Sequence, residues 1–388
     1  MKQPNLKGTY ASINLDHIAH NYNEACKLVG SAVMVSCVVK SDAYGHGERQ
    51  VTKALVENGL SVICVGTINE ALRIRRLFHE IDILILGYTS KFLADKISEN
   101  NLIQSISTIE EALALDAIGP AKVHIKVNTG MNRLGFSIYS ADEITAISRL
   151  KNINICGIFT HLHSSGSKSK APSLQQFEIF EQLLSELNDK DINVGTRHVC
   201  NSGGIISFKK MHLDMVREGI MLYGLYPSKA ISRDYVHLKE CMELRSFIAQ
   251  IIEVKKGEGI SYSHTFIAPC DMKIATVGLG YGDGVFRHIS NKGEVIINDQ
   301  RRPIVGTVCM NLIMVDVTGM YGINVEDEVI LFGRSENQFI SIDEVADWAG
   351  TISYDVICRT GYSVPRVYYK NDRIIECEET LLIENCNI

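Results

Sequence analysis

Eight short apolar runs, separated by segments of helical periodicity, occupy the chain from about residue 14 to residue 226 and leave few folds open to it. They lie at residues 33–39, 62–65, 83–86, 102–106, 123–127, 153–159, 198–200 and 213–216. Each has the length of a strand buried on both faces. The segments between them carry apolar residues three and four apart, as in Phe177, Phe180, Leu184 and Leu187. Two helices open on capping-box signals, Thr67 with Glu70 and Thr108 with Glu111, where hydroxyl and carboxylate satisfy the first backbone N–H groups. Eight such units predict an α/β fold, a (β/α)8 TIM barrel, over residues 12–240. An open doubly wound sheet fits less well, because no glycine-rich dinucleotide loop follows the first run.

After about Ser228 the texture changes. Residues 247–254, 273–277, 294–297, 304–308 and 312–317 read as strands with short polar or glycine connections, and one clear helix lies near 342–348. A mainly β C-terminal domain is therefore expected over residues 241–388, together with residues 1–11. The 388 residues are enough for two substantial cores. A net charge of -6 argues against nucleic acid or an anionic membrane as a partner. The first sixteen residues lack the apolar core of a signal peptide, and no segment has membrane-spanning length, so a cytoplasmic location is expected. Eleven cysteines without a CxxC pair read as reduced, structural thiols.

In a barrel of this kind chemistry sits at the carboxyl ends of the strands. Lys40 follows the first run, Lys126 and Arg133 the fifth, His161 the sixth, Asn201 and Ser202 the seventh, and Arg217 the eighth. A lysine at a strand end can be desolvated, lose its proton and form a Schiff base with a carbonyl compound. The glycines after it, Gly45 and Gly47, are expected to let backbone approach a ligand. His161 and His163, alternate residues on one strand face, have the spacing of two metal ligands, but no third ligand is evident and no metal is expected.

The stretches Val39-Lys40-Ser41-Asp42-Ala43-Tyr44-Gly45-His46-Gly47, Gly130-Met131-Asn132-Arg133-Leu134-Gly135, Thr160-His161, Asn201-Ser202, Arg217-Glu218-Gly219-Ile220, Ser261-Tyr262, Gly280-Tyr281-Gly282-Asp283-Gly284 and Cys309-Met310-Asn311 occur in this order. In that order they resemble the alanine racemases, pyridoxal 5'-phosphate enzymes with a barrel and a C-terminal β domain. The resemblance runs nearly end to end. It implies that Lys40 binds the cofactor as a Schiff base and serves as one of two bases, the other being Tyr262 of the second subunit of a homodimer. It implies phosphate contacts from Tyr44, Ser202, Gly219, Ile220 and Tyr354. Arg217 would pair with the pyridine nitrogen and act with His161 in a relay to the tyrosine, and Asn201 lies in the same cofactor-binding set. Arg133 would meet the cofactor's phenolic oxygen and the substrate carboxylate, held in place by Lys126, a position often carbamylated in the family and replaced in that role by an anion in some relatives, and Met310 would give the substrate carboxylate a backbone donor.

The chain departs from the family pattern at four places. Asn311 stands where an aspartate is common, Thr307 where an arginine is common, Gly166 near an acidic position of the access channel, and Asn132 where glycine is usual. Arg287 and Tyr281 still match channel residues. Asn132 with Met310-Asn311 resembles broad-specificity racemases, so serine or lysine stands beside alanine as a candidate substrate. A decarboxylase on the same barrel and a non-catalytic pyridoxal-phosphate-binding protein are the competing readings. The first resembles this chain less around Lys40 and Arg217, and small members of the second class usually lack the C-terminal domain.

Overall fold

The computed structural model describes residues 8–378 and divides into two compact units. One comprises residues 17–43 and 48–239; the other comprises the chain up to Asp16, the segment Tyr44–Gly47 and the chain from Glu240 onward.

The first unit is built on eight parallel strands: β1 (Met34–Val38), β2 (Val62–Val65), β3 (Asp82–Ile85), β4 (Ile103–Ile106), β5 (Ala121–Lys126), β6 (Ile153–Phe159), β7 (Thr196–His198) and β8 (Met215–Glu218). Their order in the sheet is β7-β6-β5-β4-β3-β2-β1-β8. Two backbone hydrogen bonds, from Asp214 N–H to Arg197 O (3.2 Å) and from Arg217 N–H to Cys200 O (2.9 Å), span the remaining gap and bring the sheet round to a barrel. Ile63, Leu84, Ile106, Val123 and Ile158 are fully buried, as expected of strands covered on both faces. Cys37, Cys64 and Cys200 are buried thiols. On the helix Ala171–Asp189 the buried stripe is Phe177, Phe180, Leu183 and Leu187 rather than Leu184.

Both predicted caps form, with one difference. Thr67 and Glu70 make the full box, whereas the Glu111 carboxylate accepts from Ser107 N–H (3.0 Å), one residue before the Thr108 cap.

The second unit carries a ten-stranded sheet whose main path runs Gln300–Pro303, Glu294–Ile297, Glu328–Arg334, Met242–Val254, Tyr10–Asn14, Arg366–Lys370, Arg373–Glu378. The residues expected as a strand at 304–308 do not form one. Asn298 (φ 44°) and Asp299 (φ 59°) instead make a two-residue hairpin loop pairing Ile297 with Gln300, so the second strand ends at Pro303. A helix at Ser353–Ser363 joins the expected one at Ile342–Ala349.

That helix explains two glycines. A Cβ on Gly45 (φ +81°) would fall 2.4 Å from Ile357 O, and one on Gly361 would fall 1.9 Å from Gly45 O. A Cβ on Gly47 (φ +88°) would fall 1.9 Å from the Tyr368 hydroxyl. The expectation that Gly45 and Gly47 admit a ligand is thus corrected: they admit the chain's own helix and a tyrosine. Among the described residues no helix is long and apolar enough to cross a membrane.

Candidate active site

Lys40 stands two residues beyond β1, at the head of an unusual turn. Ser41, Asp42, Ala43 and Tyr44 all have left-handed φ, between 51° and 53°. For residues with a Cβ this costs roughly 1–2 kcal/mol each, so surrounding groups must hold the turn. The Glu70 carboxylate accepts from Ser41 N–H (2.7 Å), Gly66 N–H (2.7 Å) and Thr67 N–H (3.0 Å). Asp42 accepts from Glu48 N–H (2.7 Å), and Arg73 in turn bonds the Glu48 carboxylate (2.9 Å).

Arg217, on β8, is 2 % exposed and is held from several sides. Its guanidinium donates to His198 Nδ1 (2.6 Å), Thr160 O (2.8 Å), Val199 O (3.1 Å) and His198 O (3.2 Å), and its Nη2 lies 3.4 Å from His161 Nδ1. A guanidinium can only donate, which fixes the tautomers around it. His198 accepts at Nδ1, so its Nε2 carries the proton and donates to His124 Nδ1 (2.9 Å). Gly157 leaves room for this ring, since a Cβ there would fall 2.4 Å from the His124 imidazole. Burial first, then the Arg217 charge, pushes His124 down to about 3 and holds His198 well below the usual imidazole range. His161 is likewise kept neutral by burial, with Arg217, Arg133, Lys126 and Lys40 adding to the effect.

Lys126, at the end of β5, lies 5.7 Å from the centre of the Phe159 ring. Burial, then Arg133, Arg217 and Lys40, pushes its amine down to about 8, with Glu111 alone pulling the other way. Arg133 is exposed on a loop organised by Asn128, whose Oδ1 accepts from Gly130 and Asn132 N–H. Asn132, in place of the usual glycine, still takes the left-handed conformation (φ 53°) that glycine would supply. Asn201 caps the helix Ser202–Ser207, accepting from Gly204 N–H (3.1 Å) and Ser165 Oγ (2.6 Å) while donating to Leu162 O (3.1 Å). Ser202 Oγ accepts from Gly219 N–H (2.9 Å) and Met221 N–H (3.3 Å), joining the ends of β7 and β8 around Ile220. His163 is exposed and bonds Ser164.

The remaining candidates belong to the second unit. Tyr44 and Tyr354 have ring centres 6.0 Å apart, and burial pushes the Tyr354 phenol up to about 12. Tyr262 is 68 % exposed on a turn in which Ser261, Ser263 and His264 have positive φ. Thr307 Oγ1 donates to Tyr262 O (3.0 Å), and Ser261 Oγ donates to Thr307 O (2.6 Å). Met310 is exposed, with its carbonyl accepting from Gly282 N–H (2.7 Å). Asn311 Nδ2 lies 3.4 Å from the Asp283 carboxylate, which an aspartate at 311 would repel. Gly166, in the barrel unit, would bring a Cβ to 3.3 Å of Ser228.

Two models of protein families match this chain: the alanine racemase N-terminal domain over residues 13–227 and the alanine racemase C-terminal domain over residues 241–368. This chain belongs to the alanine racemase family. It is 38 % identical over 385 residues to alanine racemase 2 of Caldanaerobacter subterraneus, covering 97 % of this chain and 99 % of that one. Among solved structures, the alanine racemase of Clostridium difficile 630 superposes with a TM-score of 0.92 at 34 % identity, over 97 % of this chain and 99 % of that one. The alanine racemase of Bartonella henselae, solved with covalently bound pyridoxal phosphate, gives 0.84 at 26 % identity over 93 % and 99 %.

The alanine racemase family depends on pyridoxal phosphate, and the residues present fit that group. The largest charge effects on Lys126 come from Arg133, Arg217 and Lys40, opposed by Glu111, and those on His161 from Arg217, Arg133, Lys126 and Lys40, a positive excess suited to an anion. A lysine at the strand end suits an aldehyde, and the Ser202 hydroxyl, which accepts from Gly219 N–H, keeps its own proton to donate to a phosphate. Reading the sequence overlooked His124, His198 and Thr160 as supports of Arg217. His124 had a visible signal, since it alternates with Lys126 on one strand and so shares its face.

Proposed function

We propose that this protein is a pyridoxal-phosphate-dependent alanine racemase, interconverting L- and D-alanine with Lys40 and Tyr262 as opposed bases. The observation that carries this reading is the barrel mouth itself, where Lys40 on its pinned turn shares a field with Lys126, His161 and the many-times-bonded Arg217. When bound, the cofactor makes the substrate's α-proton acidic by delocalising the negative charge left behind.

The chain's own groups do the rest. Lys40 would hold the cofactor and, with its amine free, would remove or return the proton on one face of the substrate. Tyr262, reaching in from the second subunit of a homodimer, serves the other face. Arg217 would donate to the ring nitrogen without surrendering its own proton, because a guanidinium remains charged, and this favours return of the α-proton over side reactions. Its several acceptors keep the guanidinium in one orientation. His161, kept neutral by burial and 3.4 Å from Arg217 Nη2, would continue a path from Arg217 toward Tyr262. Ser202, Gly219, Ile220, Tyr44 and Tyr354 would bind the phosphate, Tyr354 as a donor because burial keeps its phenol protonated. Asn201 holds the start of the Ser202 helix.

Arg133 and the Met310 N–H would bind the substrate carboxylate. Lys126 is near neutrality at about pH 8, the form that carbon dioxide carbamylates, and the resulting anion would pair with Arg133. On this reading residues 12–240 bind the cofactor, residues 241–388 with 1–11 supply Tyr262 and Met310, and the enzyme works in the cytoplasm. The exchange of an aspartate for Asn311 and of an arginine for Thr307 favours a range that extends to serine or lysine.

Cofactor-loaded protein incubated with L-alanine is expected to yield D-alanine until the two are equal. Failure to racemise alanine, serine or lysine would overturn the proposal, and a panel of L-amino acids defines the range.

A further inference from the structure

One carboxylate contacts both surfaces that define the Lys40 side chain. Glu70 Oε1 accepts from Ser41 N–H, the peptide immediately after Lys40, while Oε2 accepts from Gly66 and Thr67 N–H at the end of β2. Gly66 is itself the wall along which the lysine runs: a Cβ built there would lie 3.4 Å from Lys40 Cβ, 3.7 Å from Lys40 Cδ and 3.3 Å from Glu70 Oε2. A helix cap accounts for only part of this. The box at Thr67 uses Oε2, whereas Oε1 reaches a residue 29 positions away that is no part of the helix. Ser41 also begins the left-handed run, so the bond falls where the backbone needs outside support.

We propose that Glu70 is a positioning residue for racemisation, fixing the direction in which Lys40 leaves the strand by holding Ser41 and Gly66 on one carboxylate. The inference rests on the reading of Lys40 as cofactor-holding base. Only a group with two acceptor oxygens can do this; glutamine has one, and its amide nitrogen would face an N–H. Asp42, the next residue of the turn, is held separately by its bond to Glu48 N–H, so loss of Glu70 removes the support at Ser41 and leaves that one in place.

The test compares the holoenzyme with Glu70→Gln and Glu70→Asp. For Glu70→Gln we expect kcat for alanine to fall by about tenfold to a hundredfold with KM changed less than about threefold, the cost of a misplaced reacting group. The limb of the pH profile belonging to Lys40 should move, hydrogen exchange at the Ser41 amide should quicken, and Glu70→Asp should recover part of the rate. Glu70→Gln with parental kcat and pH profile, altered only in melting temperature, would reduce Glu70 to a helix cap. Should that variant not fold, Glu70→Asp decides: a lowered kcat with a shifted Lys40 limb of the pH profile supports the proposal, and a parental kcat and profile overturn it. A parent protein that racemises nothing would sink the functional reading instead. In that event borohydride trapping of cofactor on Lys40, expected to be reduced in Glu70→Gln, still tests the positioning.

Discussion

The turn after Lys40 and the turn around Tyr262 place non-glycine residues in left-handed backbone space, four in the first and three flanking the tyrosine in the second, yet different chemistry holds them. The lysine turn rests on the buried carboxylate of Glu70, which accepts three backbone N–H groups. The tyrosine turn rests on the neutral hydroxyls of Thr307 and Ser261. Charge-assisted bonds are roughly twice as strong as neutral ones. The lysine is therefore presented on a stiff frame. The second unit braces the backbone beneath Tyr262 and leaves the residue 68 % exposed, in keeping with a residue that completes a site elsewhere.

Replacing Lys40 by alanine should have the largest effect, a loss of at least about a thousandfold in kcat/KM, since both the cofactor anchor and one base go. Tyr262→Phe should follow, with a loss of about a hundredfold to ten-thousandfold. Because L- and D-alanine are equal in energy, kcat/KM must fall alike in both directions. The asymmetry should appear in deuterium uptake from solvent, retained for one enantiomer only; parental uptake for both would remove Tyr262 as the second base. Thr307→Val should cost less, because one neutral hydrogen bond is worth about 1 kcal/mol, or roughly fivefold in kcat if all of it reaches the ring. Borohydride trapping on Lys40 should not change in that variant; a change would break the separation between the two turns.

The smallest effect concerns stability. Glu218, between Arg217 and Gly219, is fully buried; burial raises its carboxyl well above the usual 4.5, with the Cys37 thiol donating to it. The folded chain keeps a proton that the unfolded chain releases near pH 4.5, so this residue's contribution to stability declines as pH rises above that value and levels off beyond the folded pKa. Glu218→Gln removes the titration. Its melting temperature relative to the parent should therefore rise from pH 5 to pH 8, and a constant difference would show that Glu218 is ionised in the fold.

Seven of the eight barrel strands were legible because buried strands need apolar runs, bounded here by caps such as Thr67; the strand expected at 198–200 forms instead at Thr196–His198, where Thr196 and Arg197 break the apolar pattern. Lys40, His161 and Arg217 were legible as polar residues at strand ends. Other elements were hidden by their composition. The helix Ser353–Ser363 contains Thr360-Gly361-Tyr362-Ser363, poor helix formers whose glycine is required by contact with Gly45. The expected strand at 304–308 was lost to the hairpin at Asn298-Asp299, a turn signal of left-handed residues that outweighs a run of apolar ones.

Sequence by itself determined the barrel, the family and the residue types at the rim, because periodicity and motif order are properties of the chain. Tertiary structure alone decided that Gly45 and Gly47 serve packing, that Thr307 braces Tyr262, and that Arg217 sets the tautomers of His198 and His124. It also turned Glu70 from a helix cap into the support of the lysine. Each of these depends on which donor meets which acceptor across distant positions, and spacing along the chain carries no record of that.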